Sequence, residues 1–315
     1  MTGSKFQSGV YLLVVIFCLS GCGVSLAGQD DNIKKSFQVE PGGHLTLDVQ
    51  FGSIEVSPSE GKEVNIEVIR KVKTSDPKKA EEILKSHQVD FKQAGNDVMV
   101  KSGDRARAFG KGSWDHLEVR YVISVPKKFN VDLNTSGGSI TVNDLEGEAI
   151  AKTSGGSLHF GNIQGPVSGK TSGGGITVLE CTGKVDINTS GGSITLGKIA
   201  GPLLAQTSGG SIRIDEVRGD VKASTSGGSI QASISRQPAS DSELGTSGGS
   251  IHIKLKPDLN LNLVAKASGG DIQSDIPLMV QGAMSRSSLQ GKMNAGGPQL
   301  YLHSSGGSVH ISKLQ

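Results

Sequence analysis

The chain has 315 residues, of which 45 are glycine and only 4% aromatic, a balance that excludes a thick core of large rings and fits a narrow one of Ile, Val, Leu and Ala. Lysine and arginine number 32 against 30 aspartates and glutamates, so the formal charge is only +2. No basic stripe interleaved with aromatics accompanies it, which excludes nucleic acid as the expected partner and strong attraction to anionic lipid.

At the N-terminus, Lys5 precedes an apolar run over residues 10–19, long enough for a signal-peptide core but short of the roughly 20 residues a spanning helix needs. The run ends in Leu19-Ser20-Gly21-Cys22, which resembles a bacterial lipobox, whose cysteine thiol is diacylglycerated and becomes the mature N-terminus. Residues 1–22 therefore read as a lipoprotein signal peptide, Cys22 as the lipidation site, residues 23–31 as a linker, and the membrane as a partner reached through the lipid anchor. Cleavage after Ala27, in Ser25-Leu26-Ala27, is the alternative and would release a soluble secreted or periplasmic protein. Gly23 stands where many inner-membrane lipoproteins carry Asp, which favours the outer membrane, with the face it occupies left open.

Residues 32–134 read as a β-rich cap with one short helix. Alternation in Leu45-Thr46-Leu47-Asp48-Val49 and Val64-Asn65-Ile66-Glu67-Val68 predicts half-buried strands. Asp76-Pro77 predicts a helix running to about His87, with Ala80, Ile83, Leu84 and His87 on one face. The segment Gln50-Phe51-Gly52-Ser53-Ile54-Glu55-Val56 reads as a degenerate repeat, so the cap contains an early coil. Arg105, Arg107, Phe109, Lys111 and Trp114 share a glycine-containing loop, where the one tryptophan of the chain beside three cations is a candidate contact for an anionic glycan or lipid headgroup. A plain hairpin with Trp114 packed on the cap is the competing account.

From Thr135 the unit Thr-Ser-Gly-Gly returns every 18 residues, at Thr153, Thr171, Thr189, Thr207 and Thr225, then after 21 residues at Thr246. Such regularity predicts a solenoid. Apolar residues recur at repeat positions 6, 8, 11 and 15, with a mostly small one at 17: Ile140, Val142, Leu145, Ala149 and Ala151 in one unit, Ile194, Leu196, Ile199, Leu203 and Ala205 in another. Spacing of two predicts two or three short strands per coil, not helix. Glycines at positions 3, 4 and 13 mark corners, where positive φ is the expected reason. The fold class is all-β: a parallel β-solenoid with 18-residue coils over residues 135–274, each coil about 4.8 Å from the next. Residues 275–315 read as an insertion, either an excursion or a capping hairpin over Asp275 to Pro298, followed by a C-terminal capping coil.

Placed in register, most tempting motifs become ladder positions. Gly165-Pro166-Val167-Ser168-Gly169-Lys170-Thr171 has three residues between its first Gly and Gly-Lys where a phosphate loop needs four. Cys181 falls where other coils have Leu145, Ile163, Ile199 and Val217, so it reads as a small buried hydrophobe, and with Cys18 and Cys22 spent at the N-terminus no disulfide framework is expected. His159, His252 and His310 all sit at outward position 7, with His252 and His310 expected two strand spacings apart across Gln273; no metal site and no cofactor are expected. Glu180, Lys198 and Glu216 alternate in sign along one ladder, and Asp215 with Asp220 is the one nearby acidic pair, split by the Gly219 corner. Thr at position 1 continues the inward alternation, so the Thr ladder lines a corner and does not form a flat ice-binding face.

Phe51-Gly52-Ser53-Ile54, Ile123-Ser124-Val125-Pro126, the Ser-Gly-Gly array and the closing Gly296-Gly297-Pro298-Gln299-Leu300-Tyr301 together resemble a bacterial adhesin-like domain family of unknown function, built from Ser-Gly-Gly or Ser-Gly-Asp coils. The chain departs in having Gly-Gly almost throughout, with Asp only at Asp271. The resemblance implies an envelope or surface β-solenoid and carries no catalytic residues. The expected function is that of a non-catalytic cell-envelope lipoprotein, an adhesin-like scaffold or binding surface for a glycan or an envelope partner. The alternatives are a polysaccharide lyase or hydrolase using a side groove and, further off, an ice-binding solenoid.

Overall fold

The computed structural model describes residues 30–102, 116–280 and 285–315, nearly all of them in strands, corners and one helix. Each repeat supplies one strand to each of two facing parallel sheets. In the coil opened by Thr189, Ile194–Ile199 joins the first sheet and Leu203–Thr207 the second. Like residues stack on like: Ile176, Ile194 and Ile212 form one ladder, Val185, Leu203 and Val221 another. Positions 6, 8, 11, 15 and 17 all point inward, so Ile194, Leu196, Ile199, Leu203 and Ala205 are buried between the sheets. That two-layer core needs no large side chain, which is how a glycine-rich, aromatic-poor sequence still closes one.

The Ser-Gly-Gly corner is held by the threonine ahead of it. Thr189 Oγ1 donates to the Gly174 carbonyl of the preceding coil at 2.8 Å and accepts from Gly192 N at 3.4 Å. Thr153, Thr171, Thr207, Thr225 and Thr246 repeat the donation, and Ser304 makes it to Gly249. The hydroxyl thus satisfies a buried carbonyl that the strand ladder leaves unpaired. Positive φ does not explain most of the glycines, contrary to expectation: from Thr135 onward, of the corner glycines at repeat positions 3, 4 and 13, only Gly147 has it, at 153°, as does Gly52 in the inner N-terminal coil, at 115°. Close approach explains them. A Cβ on Gly192 would lie 2.1 Å from the Gly174 carbonyl oxygen, and one on Gly201 2.3 Å from that of Gly183.

Both sheets at the N-terminal end, and the second sheet at the other, turn antiparallel, which stops those ladders from templating further strands. At the N-terminal end, His44–Val49 and Ser53–Ser59 form an inner coil that pairs directly with Asn130–Thr135 and Ile140–Val142, Ile54 opposite Ile140. Outside it, Leu117–Pro126, Glu63–Val72 and Asp30–Gln38 finish the first sheet, while the hairpin Val89–Ala94/Asp97–Ser102 finishes the second. The helix runs Pro77–Ser86, with the Asp76 side chain accepting from Lys78 N and Lys79 N, and His87 closing it.

At the other end the chain skips a place. Leu261–Ala267 and Ile272–Ser274 lie one coil further out than the coil of Ser242–Leu255 needs; Ser288–Met293 pairs antiparallel with Leu261–Ala267, with Met279–Val280 at the edge, while Ile272–Ser274 ends the first sheet. The chain then returns: Gln299–Ser304 slots between Ser242–Thr246 and Leu261–Ala267, and Val309–Lys313 between Ile251–Leu255 and Ile272–Ser274. Residues 299–313 are therefore an interior coil and not the cap; the segment read as an insertion supplies the capping strands.

The N-terminal cap contains a buried polar group. Arg70, 7% exposed, donates to the carbonyls of Leu84 and His87 at the end of the helix, at 3.2 and 2.9 Å, and pairs with Asp31. Tyr121 Oη lies 3.4 Å from His87 Nε2, and burial pushes the tyrosine hydroxyl well above its usual range. Burial, then the Arg70 charge, lowers His87 from 6.5 to about 4. The unfolded chain therefore takes up a proton that the folded one refuses between those values. This group's contribution is full above pH 6.5 and is lost as the pH falls toward 4, on the order of 3 kcal/mol in all. Urea unfolding at pH 7 and pH 4 measures it: wild type is expected to lose that much more stability than His87→Gln, and equal losses would refute it.

Candidate binding surface

Cys22 and the loop of Arg105, Arg107, Phe109, Lys111 and Trp114 lie outside the described residues. Cys181 is buried, its thiol 3.1 Å from the Gly165 carbonyl and pushed up in pKa by burial, as suits a core position. Lys170 is an exposed outer-face residue and Thr171 a corner threonine bonded to Gly156. The threonine hydroxyls are buried, while outward position 7 mixes Thr141, His159, Thr177, Thr195 and Arg213.

The interior placement of the last coil brings together two residues expected apart. His252 pairs directly with His310, ring centroids 6.1 Å apart, and Gln273 lies beyond. His310 Nε2 is 3.2 Å from Asp275 Oδ2. Even so, among the described residues no group of three or more His, Cys, Asp or Glu is arranged to hold a metal ion.

Where the period lengthens from 18 to 21, the additional residues swing out beside the first sheet and wall a groove of about 850 Å³. Asp215, Glu216, Arg218, Ser235, Arg236 and Lys256 line it. Glu216 accepts from Arg218 Nε at 2.8 Å and Ser235 Oγ at 2.6 Å, and these bonds hold its carboxyl below the ordinary range. Asp215 accepts from Arg213 Nε at 2.9 Å. Asp220 is spent on the added loop, accepting from Ala239 N, Ser240 N and Ser240 Oγ at 2.7, 2.9 and 2.6 Å. Burial raises its pKa, but those bonds more than offset that and leave it low. In the predicted charge ladder, Lys198 does reach Glu180, at 3.3 Å, while Glu216 turns to Arg218. The one sequence signal for the groove was the change of period at Thr246; its lining, completed by Leu314 and Gln315, comes from four separate coils and was not legible.

Two facing parallel sheets wound from 18-residue coils, capped by antiparallel strands and flanked by a charged groove, define a two-sheet β-solenoid. The chain belongs to the Toastrack DUF4097 family, whose profile matches residues 43–312, from the inner N-terminal coil to the slotted last one. Among solved structures it is similar to a provisionally named lipid-binding protein from Parabacteroides distasonis, at 13% identity over 91% of this chain and 98% of that one, TM-score 0.48. A provisionally named adhesin from Bacteroides fragilis matches at 13% identity over 89% and 97%, TM-score 0.38. Another from Parabacteroides merdae matches at 12% over 91% and 98%, TM-score 0.39. No curated protein matches the sequence.

Proposed function

We propose that the chain is a non-catalytic cell-envelope protein, tethered by lipid at Cys22, whose solenoid offers an adhesin-like binding surface. The observation that carries the non-catalytic part is the state of the groove carboxylates. Glycoside hydrolysis needs one carboxyl kept protonated to donate to the leaving oxygen and a second poised opposite. Glu216 is instead held ionised by Arg218 and Ser235, Asp215 is paired with Arg213, and Asp220 anchors a loop.

Incubation with a panel of polysaccharides is expected to yield binding without new reducing ends or unsaturated products. Turnover that disappears in Asp215→Ala would overturn the non-catalytic reading. The tether rests on the Leu19-Ser20-Gly21-Cys22 motif, and outer-membrane placement on Gly23. Cys22→Ala is expected to move the protein from the membrane fraction to the soluble one and to abolish labelling by radioactive palmitate. Retention of the variant in the membrane would sink the tether.

A further inference from the structure

After Asn130 the chain has only two aromatic residues of the Phe, Tyr and Trp kind, Phe160 and Tyr301. Phe160 is buried between the sheets, whereas Tyr301 stands half-exposed on the outer face of the second sheet. Its ladder runs Asp186, Leu204, Lys222, Glu243, Tyr301, Val264, so the packing of the solenoid does not ask for a ring there. Two residues on, the His303 ring lies parallel to it within 5°, centroids 6.2 Å apart.

The surroundings are arranged around that ring. On one side, the ladder partner of His303 is Gly245, where a Cβ would meet nothing within 4 Å, leaving a notch beside the imidazole. On the other side, Lys266 holds its ammonium 6.0 Å from the Tyr301 centroid. The next strand adds Gln290 and Lys292, opposite Val264 and Asn262. With Lys222 two strands away, the strands from Val221–Thr225 to Ser288–Met293 turn three lysines outward against one acid, Glu243, while Asp241 at their edge is held by Gln299 N at 2.7 Å.

We infer that Tyr301, with Lys266 and Lys292, is a contact site for an acidic polysaccharide. A pyranose lays its C–H face on the tyrosine ring, the notch at Gly245 admits its edge, and the lysines take the carboxylate or sulfate. The flat, open face suits a polymer lying across the strands. A single-stranded nucleic acid would want several stacking rings along a cationic track, and the face has one. This inference rests on the binding-surface reading above and gives that surface a place and a ligand class.

Isothermal titration of the full chain with alginate, neutral dextran and single-stranded DNA tests it. Alginate is expected to bind and dextran not. Tyr301→Ala and Lys266→Ala are each expected to weaken alginate by about tenfold, and Tyr301→Phe by less than about twofold. Gly245→Leu fills the notch without touching the ring and is expected to weaken it comparably; a far substitution on the same face, Lys170→Ala, is not. Alginate binding that survives both Tyr301→Ala and Gly245→Leu would reject this site while leaving the binding-surface reading standing. No binding to alginate, or DNA binding as tight, would reject the ligand class; failure of the whole glycan panel would reject the broader reading as well.

Discussion

Removing residues 299–315 is expected to lower the melting temperature by more than about 10 °C and to open residues 256–293 to proteolysis. Leu300, Leu302, Val309 and Ile311 are fully buried, each worth about 2 kcal/mol of burial against a domain stability of about 5–15 kcal/mol. A coil at the end of a stack loses one interface when deleted; this one loses two. Its departure uncovers Leu244 and Ile253 on one side and Leu263, Ala265 and Ile272 on the other. It also removes the Ser304 carbonyl that accepts from Ser268 N at 2.9 Å. The competing outcome is closure, in which the coils of Ser242–Leu255 and Leu261–Ser274 pair directly. A truncated chain that melts within a few degrees of the intact one would show that they do, and that the slotted coil is dispensable.

The second large effect separates two adjacent glycines. Gly192→Ala is expected to cost more than about 3 kcal/mol, and Gly191→Ala about 1 kcal/mol. The Cβ on Gly192 would sit 2.1 Å from Gly174 O, 2.4 Å from Gly174 C and 2.5 Å from Gly175 N, all of them backbone atoms of the preceding coil. Nothing there can rotate away, so the coils must separate and strand pairing on both sides is strained. On Gly191 the nearest atoms are 3.3 and 3.4 Å away, a contact a few tenths of an ångström of movement relieves. Chemical denaturation of the two single variants measures the difference; equal costs would mean that the corner tolerates a side chain at both positions.

Much of the fold was legible from local pattern. The inward set Ile194, Leu196, Ile199, Leu203 and Ala205 followed from spacing, because side-chain direction in a strand alternates regardless of what lies next to it. Thr189 pointing into the corner followed from the same rule. The helix start at Asp76-Pro77 was readable from its cap chemistry, and Ile54 opposite Ile140 from a degenerate repeat. What failed was anything that depends on a neighbour. The glycines were expected to serve φ and most instead serve contact, since a Cβ clash belongs to the preceding coil and leaves no trace in the residue's own dihedrals.

The candidate surfaces divide in the same way. Tyr301 entered the sequence reading only within the closing motif, and nothing local showed that Gly245 and Lys266 flank its strand, because the one comes from the preceding coil and the other from the coil beyond. His252 and His310 were expected apart and lie side by side. The sequence by itself determined the period, which side chains face the core, and hence a solenoid of two or three short strands per coil with a nearly even charge; that there are two came from the structure. Only the tertiary structure decided the order of the coils at the C-terminal end, and with it which surface residues meet. The reason is that repeats are interchangeable to one another: every coil offers the same ladder of Ile, Val and Thr, so local pattern sets the register of a coil against a neighbour but not which neighbour it takes.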